Sequence, residues 1–362
     1  MNYKQRTKIL IILLGAIGDV TRALPLAVRI RRYFKNAELF WAVEPKSYPV
    51  IRNHAAIEKT IVFDRPKGFF AYLSFLKQLR AEKFDIVLDL QRHFKSGVTS
   101  RATGAKRRIG FSRANSKEFN WLFNNEFIPA VDNFSPKILH YQLFGDALRL
   151  PALNPLEFGL KPSRDEVTEM EKRLVSYLGQ AGLELANAQT RLALIVGSSW
   201  PSRFWSAEHY RELIEKMFKR WKLVSFIVGG PSEEEFAKQI FSNVSTLPAV
   251  NLVGKLKLEE LATFFSSVGY AFGSDSGPMH IAAAVGIPVI SIWGATSPAR
   301  SAPYNNEKYV IKSDLKCSPC YKRECPGLGM ACMLELCPDI VLAQFEKLIE
   351  KDERGKNANE RN

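Results

Sequence analysis

The 362 residues exceed the ~250–300 at which a single hydrophobic core stops growing, so two domains are expected. With 46% hydrophobic and 24% charged residues, the composition is that of a folded globular protein and excludes a disordered one. A balance of 51 Lys+Arg against 37 Asp+Glu, formally +14, favours an anionic partner, whether nucleic acid, anionic lipid or a phosphorylated substrate, unless it is only a solvated basic surface.

Lys4, Arg6 and Lys8 ahead of an apolar run imitate a signal peptide. No small-x-small cleavage site follows promptly, and Gly18-Asp19 lead straight into an amphipathic pattern. Residues 8–14 therefore read as a buried strand. Val20, Ala23, Leu24, Ala27, Ile30 and Phe34 then mark one face of a helix. Further strands are expected at 39–43, 61–63, 84–90 and 108–111, with a helix over 69–83. Near-continuous apolar strands alternating with helices predict a parallel sheet covered on both faces.

Residues 150–164 carry Pro151, Pro155 and Pro162 with little periodicity and read as a linker. A helix at 165–179 opens a second α/β series. Its strands are expected at 191–196, 223–228, 250–253, 270–272 and 288–293, and its helices at 207–221, 233–241 and 258–268. The expected domains are 1–160 and 165–349, two doubly wound Rossmann-like units facing across a ligand cleft. Residues 350–362 are charged, without apolar period, and are expected to be a disordered tail. No apolar run approaches the ~20 residues of a membrane span, so the protein is expected to be cytoplasmic, in peripheral contact with a membrane.

In such sheets ligands bind beyond the carboxyl ends of the strands, so the strand-to-helix junctions carry the chemistry. Leu14-Gly15-Ala16-Ile17-Gly18-Asp19 places a carboxylate after the first strand. Asp19 is either a helix N-cap or a proton acceptor. Gly197-Ser198-Ser199-Trp200-Pro201-Ser202-Arg203 joins hydroxyls to one arginine, a set that suits phosphate oxygens. Gly229-Gly230-Pro231-Ser232-Glu233 places an acid where a ribose diol is held in dinucleotide folds. Gly273-Ser274-Asp275-Ser276-Gly277-Pro278-Met279-His280 turns from a strand into a helix, whose free N–H groups and dipole favour a phosphate or pyrophosphate. An ordinary capped helix is the bland alternative. No G-x-G-x-x-G follows any strand, which disfavours a nicotinamide site. Arg92, Lys95, Arg101, Lys106, Arg107, Arg108, Arg113 and Lys117 run on without an acid until Glu118, either as a solvated face or as a patch for phosphates or lipid.

The ordered blocks "ILIILLGAIGDVTRALPLAVRIRR", "DIVLDLQRHFKSG", "SRFWSAEHYRELI", "FIVGGPSEEE" and "DSGPMHIAAAVGIPVISIWGATSP" resemble the lipopolysaccharide heptosyltransferases, glycosyltransferase family 9, over about residues 8–341. The resemblance implies a GT-B fold, with acceptor bound mainly by the first domain and nucleotide-sugar by the second. It implies that Asp19 is the catalytic base. Arg203, where members often have lysine, would be the second catalytic residue. Ser198 and Ser199 match diphosphate-contacting hydroxyls, and Glu233 matches a ribose-binding acid, with Glu234 and Glu235 leaving its register open by one. Lys255 and Leu256 would border the base. Asp275, Ser276, Gly277 and His280 would form the diphosphate and sugar site, Asp275 holding sugar hydroxyls or capping the helix. Acceptor contacts fall on Gly18, Arg92, Lys95, Ser96 and Arg113, with Arg92 replacing a usual glycine.

The implied reaction is inverting, metal-independent transfer of heptose from ADP-heptose to an anionic, lipid-linked inner-core saccharide, with no cofactor and no nucleic acid. Another nucleotide-sugar and another surface glycan is the alternative. A non-catalytic basic protein binding nucleic acid or membrane is the rival from another class. All five cysteines lie in Cys317-x2-Cys320-x4-Cys325-x6-Cys332-x4-Cys337. They are read first as free thiols, with a metal site or disulfides left open, since only one C-x2-C pair is present.

Overall fold

In the computed structural model, residues 6–183, 190–242, 244, 246–327 and 329–359 are described. The chain divides into two compact units, Met1–Leu160 and Lys161–Asn362.

The first unit begins with β1 (Thr7–Ile12) and α1 (Ile17–Tyr33), followed by β2 (Ala37–Val43), β3 (Lys59–Val62), α2 (Gly68–Ala81) and β4 (Ile86–Asp89). After these come α3 (Phe94–Ala102), β5 (Arg107–Gly110), β6 (Glu126–Phe127) and α4 (Lys137–Ala147). Its strands run parallel in the order β3-β2-β1-β4-β5-β6. β1 lies at the centre, and its residues Ile9 to Ile12 are fully buried, as an apolar strand covered on both faces requires. Arg29 of α1, only 1% exposed, fixes α4 and the segment after it. Its guanidinium donates to the carbonyls of Gln142 (2.8 Å), Pro151 (2.8 Å) and Leu150, and to the Asp146 carboxylate (2.6 Å). A side chain at Gly145 would meet Arg29 Nη1 at 2.6 Å, so glycine there lets α4 close over the guanidinium.

The second unit runs α5 (Arg164–Gln180), β7 (Arg191–Ile195), α6 (Ala207–Trp221), β8 (Val224–Val228), α7 (Glu234–Phe241), β9 (Ala249–Asn251) and α8 (Leu261–Ser266). It continues with β10 (Tyr270–Ser274), α9 (Gly277–Ala284), β11 (Val289–Trp293), α10 (Pro298–Ser301), β12 (Val310–Lys312), α11 (Ala331–Leu334) and α12 (Pro338–Asn359). All its strands pair in parallel, in the order β12-β11-β10-β7-β8-β9. α5 starts on a capping box: Ser163 Oγ accepts from the Glu166 N–H at 3.2 Å, and Glu166 Oε2 accepts from the Ser163 N–H at 2.7 Å. Tyr210, Leu213 and Met217 of α6 join Val341, Phe345 and Leu348 of α12 in one apolar cluster against the sheet.

Three expectations change. Residues 258–268 form a 3-10 turn (Leu258–Glu260) and a six-residue helix rather than one helix. Thr-Phe-Phe-Ser-Ser is a poor helix-forming run, and the segment is held by its buried Leu261, Phe264 and Phe265 instead. The tail expected from residue 350 is helical through Asn359, continuing α12 from its packed residues Val341, Phe345 and Leu348. Residues 360–362 of that tail lie outside the described residues. α3, α4, α10, α11, α12, β6 and β12 are elements that the sequence pattern does not predict.

Candidate active site

Each strand order reverses direction once, between β1 and β4 in the first unit and between β7 and β10 in the second. Adjacent connections there leave the sheet on opposite faces, opening the crevice in which open α/β sheets bind ligands. The polar junctions lie at these two places.

In the first unit the loop after β1 delivers Asp19 into the first turn of α1. The cap position is Ala16, with no side-chain cap, so Asp19 is not an N-cap. Its carboxylate accepts from Lys137 Nζ at 2.9 Å and 3.3 Å and from Arg22 Nη2 at 2.6 Å. Burial works to raise this carboxyl, but Lys137 and Arg22 outweigh it and hold it well below the usual carboxylate range. Tyr141, one helical turn beyond Lys137, is buried, and that burial with the Asp19 charge pushes its phenol well above the ordinary value. Lys137 and Tyr141 lie more than a hundred residues from Asp19, and no spacing rule connects them. The Asp19 side chain remains 22% exposed, enough for a ligand hydroxyl to reach it.

The neighbouring junction, after β4, is built differently. Asp89 at the strand's end is wholly buried, which raises its carboxyl against the bonds from Asn120 (2.6 Å) and Asn124 (3.4 Å). The Ser96 hydroxyl donates to the His93 carbonyl at 2.8 Å and is 1% exposed, so the structure turns this expected acceptor contact inward. Arg92 is turned inward as well. It donates to the Asn115 carbonyl (2.7 Å) and Asn133 Oδ1 (2.9 Å) and lies 4.5 Å from the centre of the Phe111 ring. The side chain thus straps the 111–133 segment to the end of β4. Lys95 Nζ sits over Phe63 and Tyr72 at 4.8 and 4.9 Å, and Arg113 over Trp121 at 4.8 Å. Gly18 is buried in the first turn of α1.

In the second unit, three loops are tied at Asp275. Its carboxylate meets Arg203 at 3.1 Å and accepts from Thr296 Oγ1 at 2.8 Å. Its carbonyl accepts from Ser198 Oγ at 2.9 Å and from Arg203 Nη1 at 3.2 Å. Asp275 thus does not cap α9, whose cap position is Ser276, and its carboxylate is held through Oδ2 with the side chain 13% exposed. Arg203 is also stacked 4.1 Å from the centre of Trp200, which fixes the plane of its guanidinium. Ser276 is the N-cap residue of α9, yet its hydroxyl makes no cap bond. That Oγ is buried and has no hydrogen-bond partner. An unpartnered hydroxyl beside the free N–H groups of Ser276 and Gly277, at the positive end of a helix, is the arrangement expected of an anion site awaiting its anion. His280 lies buried one turn further on, and Ser199 is exposed.

Glu233 follows β8. Its Oε2 accepts from the Gly230 N–H at 2.8 Å, and its Oε1 accepts from Ser232 Oγ at 2.7 Å. Gly197, at φ +103°, leaves room for it: a side chain there would meet Glu233 Cγ at 2.4 Å. Glu234 points instead toward Gly254, whose added Cβ would lie 2.7 Å from Glu234 Oε1. Of the two, Glu233 lies beside the loop that carries Ser198. Lys255 and Leu256 follow β9, with Lys255 Nζ 5.3 Å from the Tyr177 ring. The donor candidates therefore gather on the carboxyl edge of four adjacent strands, β10-β7-β8-β9.

Cys317, Cys320, Cys325 and Cys332 line one cavity of about 110 Å³ beside Gly294 and Ala295. Burial and the neighbouring sulfurs push the Cys332 thiol up. Among the described residues no disulfide forms, and no three His, Cys, Asp or Glu side chains are grouped to hold a metal ion.

The model of glycosyltransferase family 9 (heptosyltransferase) matches residues 72–331. The lipopolysaccharide core heptosyltransferase OpsX of Haemophilus influenzae is 29% identical over 305 residues, covering 83% of each chain. The family 9 crystal structure from Veillonella parvula superposes with a TM-score of 0.79 at 19% identity, covering 96% of this chain and 98% of that one. Escherichia coli ADP-heptose lipopolysaccharide heptosyltransferase II gives 0.75 at 20%, covering 96% and 100%. These likenesses establish the GT-B fold and, with the family match across most of both units, the kind of enzyme: the chain belongs to glycosyltransferase family 9, the heptosyltransferases.

Proposed function

We propose that the protein transfers heptose from ADP-heptose to a lipopolysaccharide inner-core acceptor by a single inverting displacement without a metal ion. The unpartnered Ser276 hydroxyl at the N-terminus of α9 carries the reading, since it leaves one buried donor to be satisfied by an anion. The diphosphate would lie there, with Arg203, Ser198 and Ser199 at its flank and Glu233 at the ribose. The activities named for OpsX and for heptosyltransferase II support the heptose, its ADP leaving group and the core acceptor.

An acceptor hydroxyl attacks the anomeric carbon from the face opposite the diphosphate, so one bond forms as the other breaks and the configuration inverts. Asp19 takes the proton. A carboxylate held by two cations is a weak base. An anionic group on the acceptor would draw Lys137 to itself and return basicity to Asp19 as the substrate binds. Lys137, Lys95 and Arg113 are the proposed acceptor cations, in place of the inward Arg92 and Ser96. The diphosphate gathers charge as it leaves, and Arg203 with the α9 N–H groups would stabilise it as a divalent ion does elsewhere.

The test is calorimetric titration with ADP, UDP and GDP, then transfer to truncated lipopolysaccharide acceptors in excess chelator. Binding of ADP alone and chelator-resistant transfer are expected. Preference for UDP or GDP would overturn the donor assignment, and activity restored only by magnesium would overturn the metal-free step.

A further inference from the structure

The two units differ sharply in charge. Residues 1–160 contain 26 Lys+Arg against 13 Asp+Glu, whereas residues 161–362 contain 25 against 24. Nearly the whole basic surplus of the chain thus belongs to the first unit. The exposed apolar side chains follow the same division. Among the described residues, every exposed phenylalanine (Phe69, Phe70, Phe94, Phe119, Phe127 and Phe134) lies in the first unit. Scattered apolar exposure is ordinary on a soluble surface, but concentration on one basic unit is not.

Four of these six share one rim. Phe69 and Phe70 open α2 and are 68% and 84% exposed. Leu73, one turn on, continues their face, and the exposed Lys67 and Lys77 flank it. Tyr72 Oη ties α2 to the first turn of α3 through the Lys95 carbonyl (3.2 Å) and Thr99 Oγ1 (3.0 Å), beside Phe94. Glu118 accepts from the Phe94 N–H at 3.1 Å, which brings Phe119 to the same end of α3. These three segments follow β3, β4 and β5, so the rim runs along the carboxyl edge of the sheet, where Asp19 also emerges.

We propose that this rim, led by Phe69 and Phe70, docks the first unit on an anionic lipid bilayer. Resting on the reading of a lipid-anchored acceptor, it places the acceptor's membrane against the edge that carries the base. Aromatic wedges with lysines beside them are what an interfacial helix presents to anionic headgroups. A second copy of the chain is disfavoured by like charge on the same surface. Nucleic acid fits less well, because Phe69 and Phe70 meet edge to face at 68°, a wedge rather than a stacking platform.

The test is co-sedimentation with phosphatidylglycerol/phosphatidylethanolamine vesicles that contain no saccharide acceptor. The wild type should pellet with these and far less with phosphatidylcholine vesicles. The double variant F69S/F70S should bind at least about tenfold more weakly, with an unchanged melting temperature and unchanged transfer to a soluble, delipidated acceptor. Equal pelleting of wild type and variant, no vesicle binding by the wild type, or its displacement from vesicles by duplex or single-stranded DNA would overturn the proposal. With neither donor nor acceptor in the binding assay, a failed heptose assignment leaves this result standing, and the reverse holds.

Discussion

Both units place an aspartate beside an arginine where the strand order reverses, and the two pairs do different things. Asp275 is enclosed by Arg203 and Thr296 and joins the loops after β7, β10 and β11. Asp19 is held by two cations from α1 and α4, and its side chain stays partly open. One carboxylate ties loops together through one oxygen and is 13% exposed, and the other is kept ionised by two cations and is 22% exposed. An acid next to a cation is thus not a role in itself; what remains accessible decides.

The comparison breaks most sharply at Asp19. Asp19→Asn keeps size and removes the proton acceptor, so turnover should fall by about 10²–10⁴-fold while ADP affinity stays unchanged. Stopped-flow turnover and calorimetry together check this, and near-normal turnover would remove Asp19 from the chemistry. Arg203→Ala should cost about 10²–10³ in kcat. It should also loosen the Asp275 tie, whereas Arg203→Lys should recover part of kcat without the Trp200 stacking. Equal losses in both variants would show that the charge is not what acts.

Lys137→Met sharpens the contrast through pH. In the wild type the folded carboxyl of Asp19 titrates below its unfolded value, so its stabilising ion pairs are complete at neutral pH and are lost only as pH falls below about 4. Without Lys137 the folded value rises toward the ordinary one. The acid limb of kcat/KM, which reports the free enzyme, should therefore move to higher pH, and KM for the acceptor should rise. An unmoved limb would mean that Lys137 does not govern the base.

Ser276→Ala gives the smallest effect and the most diagnostic sign. Removing a buried, unpartnered hydroxyl should stabilise the ligand-free protein by about 1 kcal/mol and weaken donor binding several-fold. A simple cap would give destabilisation instead, read directly from the melting temperature.

Much of this was legible in the sequence, for physical reasons. β1 and β7 carry the apolar runs Ile9–Ile12 and Leu192–Ile195, which only a strand buried on both faces needs, and α6 shows its face at the expected bounds. α3 was hidden because Phe-Lys-Ser-Gly-Val-Thr-Ser has weak helix propensity and only short buried side chains inward. The junction residues were readable because strand ends dictate where polar groups converge. Lys137 was not, since ion pairs across a fold leave no period in the chain. Nor did the basic stretch after β4 reveal that Arg92 faces the interior while Arg113 does not.

Arg29 has a consequence for biosynthesis. Its four acceptors lie between residues 142 and 151, although it belongs to the first helix made. A nascent chain that has emerged only as far as β6 already holds every strand of the first sheet, with a cation in its interior and no acceptor for it. The late residues Gln142 to Pro151 therefore act as a latch on the ribosome, and the first unit should resist protease only after they have left the exit tunnel.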